Sequence, residues 1–264
     1  MTQPRITLGV SLKMYFSYQQ TLAWSQAVAA IARNHPAIIS GEVALFVLPA
    51  FPALPPVLEA FADSNVLVGA QDLCQEDNGA WTGEVSGTML AEMGCGFAEI
   101  GHAERRRYFA EDNRLIAAKL AASLRNGLTP VLCLGEPEQG ASQEAIAVCR
   151  QQLDAYLLTA RQQQLSGHIV LAYEPQWAIG AATSAPDDFI AEVCHGLRAF
   201  SGLGEFTFSV IYGGSAGPGL LRRLGHHVDG LFLGRFAHQP AALASIIDEA
   251  AELATSQEAA WQQA

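Results

Sequence analysis

Eight short apolar runs recur along the 264-residue chain, each followed by a longer stretch with helical patterning. The runs occupy 6–10, 43–48, 66–68, 97–100, 129–134, 169–173, 206–211 and 230–233. Most are continuously apolar and do not alternate, so each strand is expected to be buried on both faces, as in a parallel sheet covered by helices. The intervening segments open on Ser, Asp or Pro start signals and cover 17–32, 55–62, 86–93, 112–125, 142–162, 186–200, 218–224 and 240–254. Parallel neighbours need a crossover of this length, and no linker or low-complexity block divides the series. The spacing therefore predicts an α/β fold, a single (β/α)8 barrel over 1–264 with a polar tail from about 255. A doubly wound open sheet shares the alternation, but its GxGxxG turn after the first strand is missing.

Composition narrows the functional classes. Hydrophobic residues make up 50% and charged residues 16%, enough to bury a large core. Fifteen Lys and Arg against 26 Asp and Glu give a net charge of −11, and Arg105-Arg106-Arg107 is the one basic run, so no nucleic-acid partner is expected. The five cysteines (Cys74, Cys95, Cys133, Cys149 and Cys194) are scattered, with no CxxC pair and no histidine at ligand spacing. A disulfide framework or zinc site is not expected, and a reducing cytoplasm is. The N-terminus carries no apolar leader, and the most apolar stretch, 43–54, is interrupted by Pro49 and Pro52, so no membrane association is expected.

In such barrels the chemistry sits where the strands end. The polar residues there are Ser11 and Lys13, then Gln71, His102 and Glu104, Glu136, Glu174, Gly213-Gly214-Ser215 and Gly234-Arg235. A lysine, an imidazole and a carboxylate thus meet at one mouth. The glycine turns after the seventh and eighth runs are expected to offer backbone N–H groups to a phosphate.

Four segments carry a resemblance: GVSLKM at 9–14, IGHAERR at 100–106, AYEPQWAIG at 172–180 and YGGS at 212–215, with GAQ at 69–71 and TGEVS at 82–86 in support. In this order they resemble the triosephosphate isomerase family from residue 5 to about 250. The resemblance implies an aldose–ketose isomerase of a small phosphorylated sugar that needs no cofactor and no metal. Glu174 would be the base, His102 would polarise the carbonyl, and Lys13 would stabilise the enediolate. A lid at 175–182 would exclude water, and Gly180, Ser215, Gly234 and Arg235 would hold the phosphate. Glu104 and Arg105 are read as ion-pair partners that hold the site. A homodimer is implied, the loop 73–85 bringing Thr82 near Ser11 and His102 of the partner subunit.

The departures from the family pattern fall in the site. Ser11 stands where the family has Asn, and Leu-Lys-Met-Tyr follows in place of Trp-Lys-Met-Asn. Arg235 replaces the second glycine of a pair, Ala181-Ala182 replaces Thr-Gly, and Gln176 replaces an aliphatic residue. The shorter Ser11 leaves room for an extra carbon or hydroxyl, which favours a four-carbon ketulose phosphate over dihydroxyacetone phosphate. A non-catalytic phosphosugar-binding barrel is the alternative, but it would be expected to lose the base first, and Glu174, His102 and Lys13 are all kept. Cys95 and Cys133 read as core thiols. His35, His168, His226, His227 and His238 read as surface or loop residues with no assigned role.

Overall fold

The computed structural model describes residues 6–200 and 205–262. Eight parallel strands are present: β1 (Ile6–Ser11), β2 (Val43–Leu48), β3 (Leu67–Ala70), β4 (Phe97–Ile100), β5 (Thr129–Leu134), β6 (Gly167–Tyr173), β7 (Phe206–Tyr212) and β8 (Gly230–Leu233). Each pairs with the next, and β1 also pairs with β8 from Thr7↔Gly230 to Val10↔Leu233, which closes the barrel. The expected (β/α)8 barrel is therefore the observed one. No described helix is long and apolar enough to cross a membrane.

The helices are α1 (Tyr18–Asn34), α2 (Pro36–Ser40), α3 (Leu54–Phe61), α4 (Gly87–Glu92), α5 (Ala103–Phe109), α6 (Asn113–Arg125), α7 (Ser142–Tyr156), α8 (Leu158–Gln162), α9 (Asp187–Arg198), α10 (Leu220–Leu224) and α11 (Pro240–Gln262). The start signals act as caps: Ser17 forms a capping box with Gln20, and the Ser86 and Asp112 side chains accept the N–H groups of Met89 and Leu115. Two helices have no counterpart in the sequence expectation. α2 is a single turn started by Pro36, and α5 has no buried residue and hence no apolar stripe to read. The segment 142–162, read as one helix, divides at Leu157 into α7 and α8.

Alternate strand residues serve two cores. Leu8, Val10, Leu45, Val47, Ile100, Leu132 and Leu171 face the helices. Phe46, Leu48, Val131, Cys133, Val170, Ala172, Ile211 and Phe232 fill the interior, with Phe97 packed against them. Phe46 stacks on Phe97 at 4.5 Å between ring centroids and lies 6.2 Å from Phe232. Two glycines make this possible. A Cβ on Gly9 would lie 2.9 Å from the Phe232 ring, and one on Gly69 would lie 2.6 Å from Phe97 Cβ.

His168, read from sequence as a surface or loop residue, lies instead within β6, its ring nitrogens 3.0 and 3.1 Å from Thr207 Oγ1 and Ser209 Oγ. Those partners come from neighbouring β7, a pairing that only strand register creates. His238 is a loop residue, and its ring packs beside those of Tyr15 and Phe16, at 5.2 and 4.6 Å between centroids.

Gly69→Ala overpacks this interior and is expected to lower stability by about 1–3 kcal/mol. Gly96→Ala, with no atom within 4 Å of the added carbon, should stay within about 0.5 kcal/mol of wild type in the same urea titration.

Candidate active site

The strand ends surround a cavity of about 550 Å³ lined by Ser11, Lys13, Glu104, Glu174, Gly180, Ser215, Gly234 and Arg235. His102 borders it through Glu174. The barrel thus brings these residues, far apart in sequence, to one mouth.

Lys13 follows β1 in a left-handed conformation, φ +49°, which costs a non-glycine residue about 1–3 kcal/mol. Gln71 holds that backbone by donating from Nε2 to the carbonyls of Lys13 (3.0 Å) and Leu48 (2.9 Å). The ammonium donates to Glu104 Oε1 at 2.9 Å. Burial opposes its charge, but the carboxylates of Glu174, Glu104 and Glu99 outweigh that effect and raise the lysine above its usual range. Lys13 is therefore held as a cation.

His102 ends the turn after β4 and caps α5. Its Nδ1 accepts the Glu104 backbone N–H at 3.2 Å, so the ring proton of the neutral imidazole belongs on Nε2. That Nε2 lies 3.4 Å from Glu174 Oε2. Both atoms are buried, and among the described residues neither has a hydrogen-bond partner. Leaving such groups unpaired costs about 1–3 kcal/mol each, and two of them opposed in this way can pair with the oxygen and the hydrogen of a ligand.

Glu174 leaves β6 and lies over Gly213, where a Cβ would stand 2.7 Å from Oε1. The segment after it is fastened down. Trp177 Nε1 donates to Glu136 Oε1 at 2.7 Å, and Tyr173 Oη donates to the same carboxyl at 3.1 and 3.2 Å. Ser215 Oγ donates to the carbonyls of Ala178 and Ala181, at 2.9 and 3.0 Å, and the Ala185 N–H donates to Tyr212 Oη at 3.0 Å. Arg235 Nη2 reaches across to the Gly180 carbonyl at 3.1 Å. The segment after Glu174 is thus tied to the turns after β5, β7 and β8.

The glycine turns need one correction. The Gly213 N–H is not open to a ligand, because it donates to the Tyr173 carbonyl at 2.9 Å and prolongs the β6–β7 pairing. Gly234 and Arg235 open a short 3-10 turn, Arg235–Ala237, whose first N–H groups have no acceptor within the turn.

Arg105 of the 100–106 motif joins charged residues outside the motifs around the site. Arg105 bonds Asp72 at 2.9 Å and Glu111 at 2.6 Å, and buried Lys119 bonds the same two carboxylates at 2.8 and 2.6 Å. This balanced set of two cations and two anions fixes α5, and with it His102 and Glu104, against β3 and α6.

Glu99, inside β4, was not singled out from the sequence. It is buried, accepts Ser11 Oγ–H on Oε2 at 2.8 Å and lies 3.9 Å from Cys133 Sγ through Oε1. Burial pushes its carboxyl up to about 7, helped by Glu174 and opposed by His102, Ser11 and Lys13. The available signal was a lone acidic residue in the apolar run 97–100. Among the described residues no group of three or more His, Cys, Asp or Glu is placed to hold a metal ion.

A closed β/α barrel with lysine, histidine and glutamate at one mouth defines a class of enzymes, the barrel isomerases of sugar phosphates. The pattern of the triosephosphate isomerase family matches residues 6–250, and the chain belongs to that family. It is 59% identical, over 97% of its length and 99% of the other's, to the L-erythrulose-1-phosphate isomerase of Pectobacterium atrosepticum. It is 39% identical over 88% of its length to the protein of that name from Rhizobium etli, covering 87% of it. The triosephosphate isomerase of Alkalilimnicola ehrlichii is 40% identical over 79% of this chain and 86% of its own.

Glu99 makes stability depend on pH. The folded carboxyl keeps its proton to about pH 7 while the unfolded one loses it near 4.5, so its contribution is fully present below pH 4.5 and is lost as pH rises through 7. In urea titrations the wild type is expected to lose about 3 kcal/mol relative to Glu99→Gln between pH 4.5 and 8.

Proposed function

We propose that the protein is an isomerase of L-erythrulose 1-phosphate that works by proton transfer through an enediolate, with Glu174 as base. The observation that carries this reading is the opposition of His102 Nε2 and Glu174 Oε2 at 3.4 Å, both unpartnered among the described residues, in a cavity that also holds Lys13. The choice of substrate rests on the relatives of that name and on Ser11.

Glu174 takes the proton from the carbon beside the carbonyl, and His102 Nε2–H donates to the carbonyl oxygen. Lys13 stabilises the negative charge that develops. The proton then returns from Glu174 to the former carbonyl carbon, and the neighbouring hydroxyl gives up its own proton to His102. On dihydroxyacetone phosphate the product is an aldose. On L-erythrulose 1-phosphate the reacting carbon bears a further CH2OH group, so the carbonyl moves from C2 to C3 and the product is a ketulose 4-phosphate. The fastened lid keeps water from the enediolate, which otherwise sheds phosphate. Gly180, Ser215, Gly234 and Arg235 hold the phosphate end.

The protein is proposed to act as a homodimer. Met14, in the turn after β1, is 93% exposed and Trp81, in the loop after β3, is 46% exposed, apolar surface that a second copy would cover. All five cysteines are free thiols, which supports a reducing cytoplasm.

Glu174→Gln is expected to fold normally and to lose at least about 10²- to 10⁴-fold in turnover; near-normal turnover sinks the mechanism. In a comparison of kcat/KM, the wild type is expected to prefer L-erythrulose 1-phosphate to dihydroxyacetone phosphate. Ser11→Asn should reduce that preference by roughly 5- to 150-fold, the effect of about 1–3 kcal/mol. Light scattering should give a dimer at assay concentration, and a fully active monomer would remove that part of the reading.

A further inference from the structure

We propose that Glu99 sets substrate length by acting through Ser11: the pair forms a hydrogen-bond acceptor that reads the hydroxyl of the substrate's fourth carbon. The inference rests on the tetrulose reading above and assigns it to particular atoms.

Ser11 lines the cavity, while Glu99 does not and stands directly behind it. The Ser11 hydroxyl has one hydrogen, and the 2.8 Å bond to Glu99 Oε2 uses it. What Ser11 presents to the cavity is therefore oxygen lone pairs. Such a group pairs with a substrate O–H and cannot donate to a carbonyl or an enediolate oxygen. An asparagine at this position would bring two N–H donors instead. The exchange at residue 11 thus changes the sign of the hydrogen bond as well as the volume of the side chain.

Packing offers no reason to keep Glu99. It shares the barrel interior with Phe97, Val131 and Cys133, where a carboxylate costs several kcal/mol relative to an apolar residue. Its second oxygen has only the weak donor Cys133 Sγ, at 3.9 Å. The charged and titratable groups around it are Lys13 after β1, Cys133 on β5, Glu174 after β6 and His102 after its own strand. Among the described residues Ser11 is the hydroxyl that donates to it. Glu99 is thus a positioning residue: it touches no reacting atom and orients the hydroxyl that does touch the substrate. In the dihydroxyacetone phosphate complex the Ser11 lone pairs would face no fourth-carbon hydroxyl, and a site left with an unpaired polar group discriminates against the shorter substrate.

The state of Glu99 matters for direction. Ionised, it pulls the Ser11 hydrogen toward itself. Protonated, it can donate to Ser11, which frees Ser11 to donate into the cavity. With a carboxyl pushed up to about 7, the tetrulose preference should rise with pH across neutrality.

The test compares kcat/KM for L-erythrulose 1-phosphate and dihydroxyacetone phosphate in wild type, Glu99→Gln, Ser11→Ala and the double variant, each checked for folding by urea unfolding. In Glu99→Gln, where the amide NH2 can donate to Ser11 Oγ and free the Ser11 hydrogen for the cavity as the protonated carboxyl would, the preference for the tetrulose should fall by about tenfold or more, chiefly through KM for that substrate. The wild-type preference should be larger at pH 8 than at pH 6, and this pH dependence should flatten in Glu99→Gln. The double variant should be no less selective than Ser11→Ala, because the two residues act in series. A merely structural Glu99 would lower both substrates equally and leave the ratio and its pH dependence in place, which overturns the assignment. If Glu99→Gln does not fold, Ser11→Ala decides: an unchanged ratio there overturns it equally. A wild type that prefers dihydroxyacetone phosphate overturns the tetrulose reading itself and this inference with it. A tetrulose-preferring wild type with an unmoved ratio overturns only the role of Glu99.

Discussion

Closure of the sheet through β1 and β8 is the constraint on which the other features depend. Eight parallel strands joined in a ring have no free edge, and each must bury two faces. The interior is narrow, and three phenylalanines with six smaller buried side chains fill it once Gly9 and Gly69 stand aside. Side chains at the strand ends then have only the open mouth to turn to. Ser11, Glu174 and Gly234 each come directly after or at the end of a strand whose interior faces are already filled, so residues far apart in sequence share one cavity.

Within that cavity, charge is arranged around a single ammonium. Lys13 is bonded to Glu104 and influenced by Glu174 and Glu99, so burial does not neutralise it. His102 takes its tautomer from a backbone N–H at the start of α5, and α5 is a helix without an apolar face. Its position comes from the Arg105, Asp72, Lys119 and Glu111 cluster. Removing one member of such a cluster leaves an unpaired buried charge, so the histidine's aim is tied to residues that never meet the substrate.

In the proposed function, selectivity and catalysis are assigned to different parts of the same ring. The lysine, histidine and glutamate suit proton transfer beside any carbonyl of the right size. Ser11, Glu99 and Arg235 lie apart from that group: Ser11 donates to Glu99 at the floor, and Arg235 reaches from the β8 turn to the Gly180 carbonyl.

The repeat of apolar runs with capped helical segments determined the barrel, because strands buried on both faces and joined by helices leave few other architectures. Short motifs made the lysine, the histidine and the glutamate legible as one group, since residues just beyond strand ends face one mouth in any such barrel. Tertiary structure alone decided the rest. α5 was not legible because ion pairs to β3 and α6, and not an amphipathic stripe, define it. His168 was not legible because its partners lie on a neighbouring strand, and register is a property of the sheet. Glu99 was visible as an acidic residue in an apolar run, but the run does not say which face it occupies or what stands opposite. The barrel places Ser11, 88 residues earlier in the chain, within 2.8 Å of it, and a contact of that separation exists only once the ring has closed.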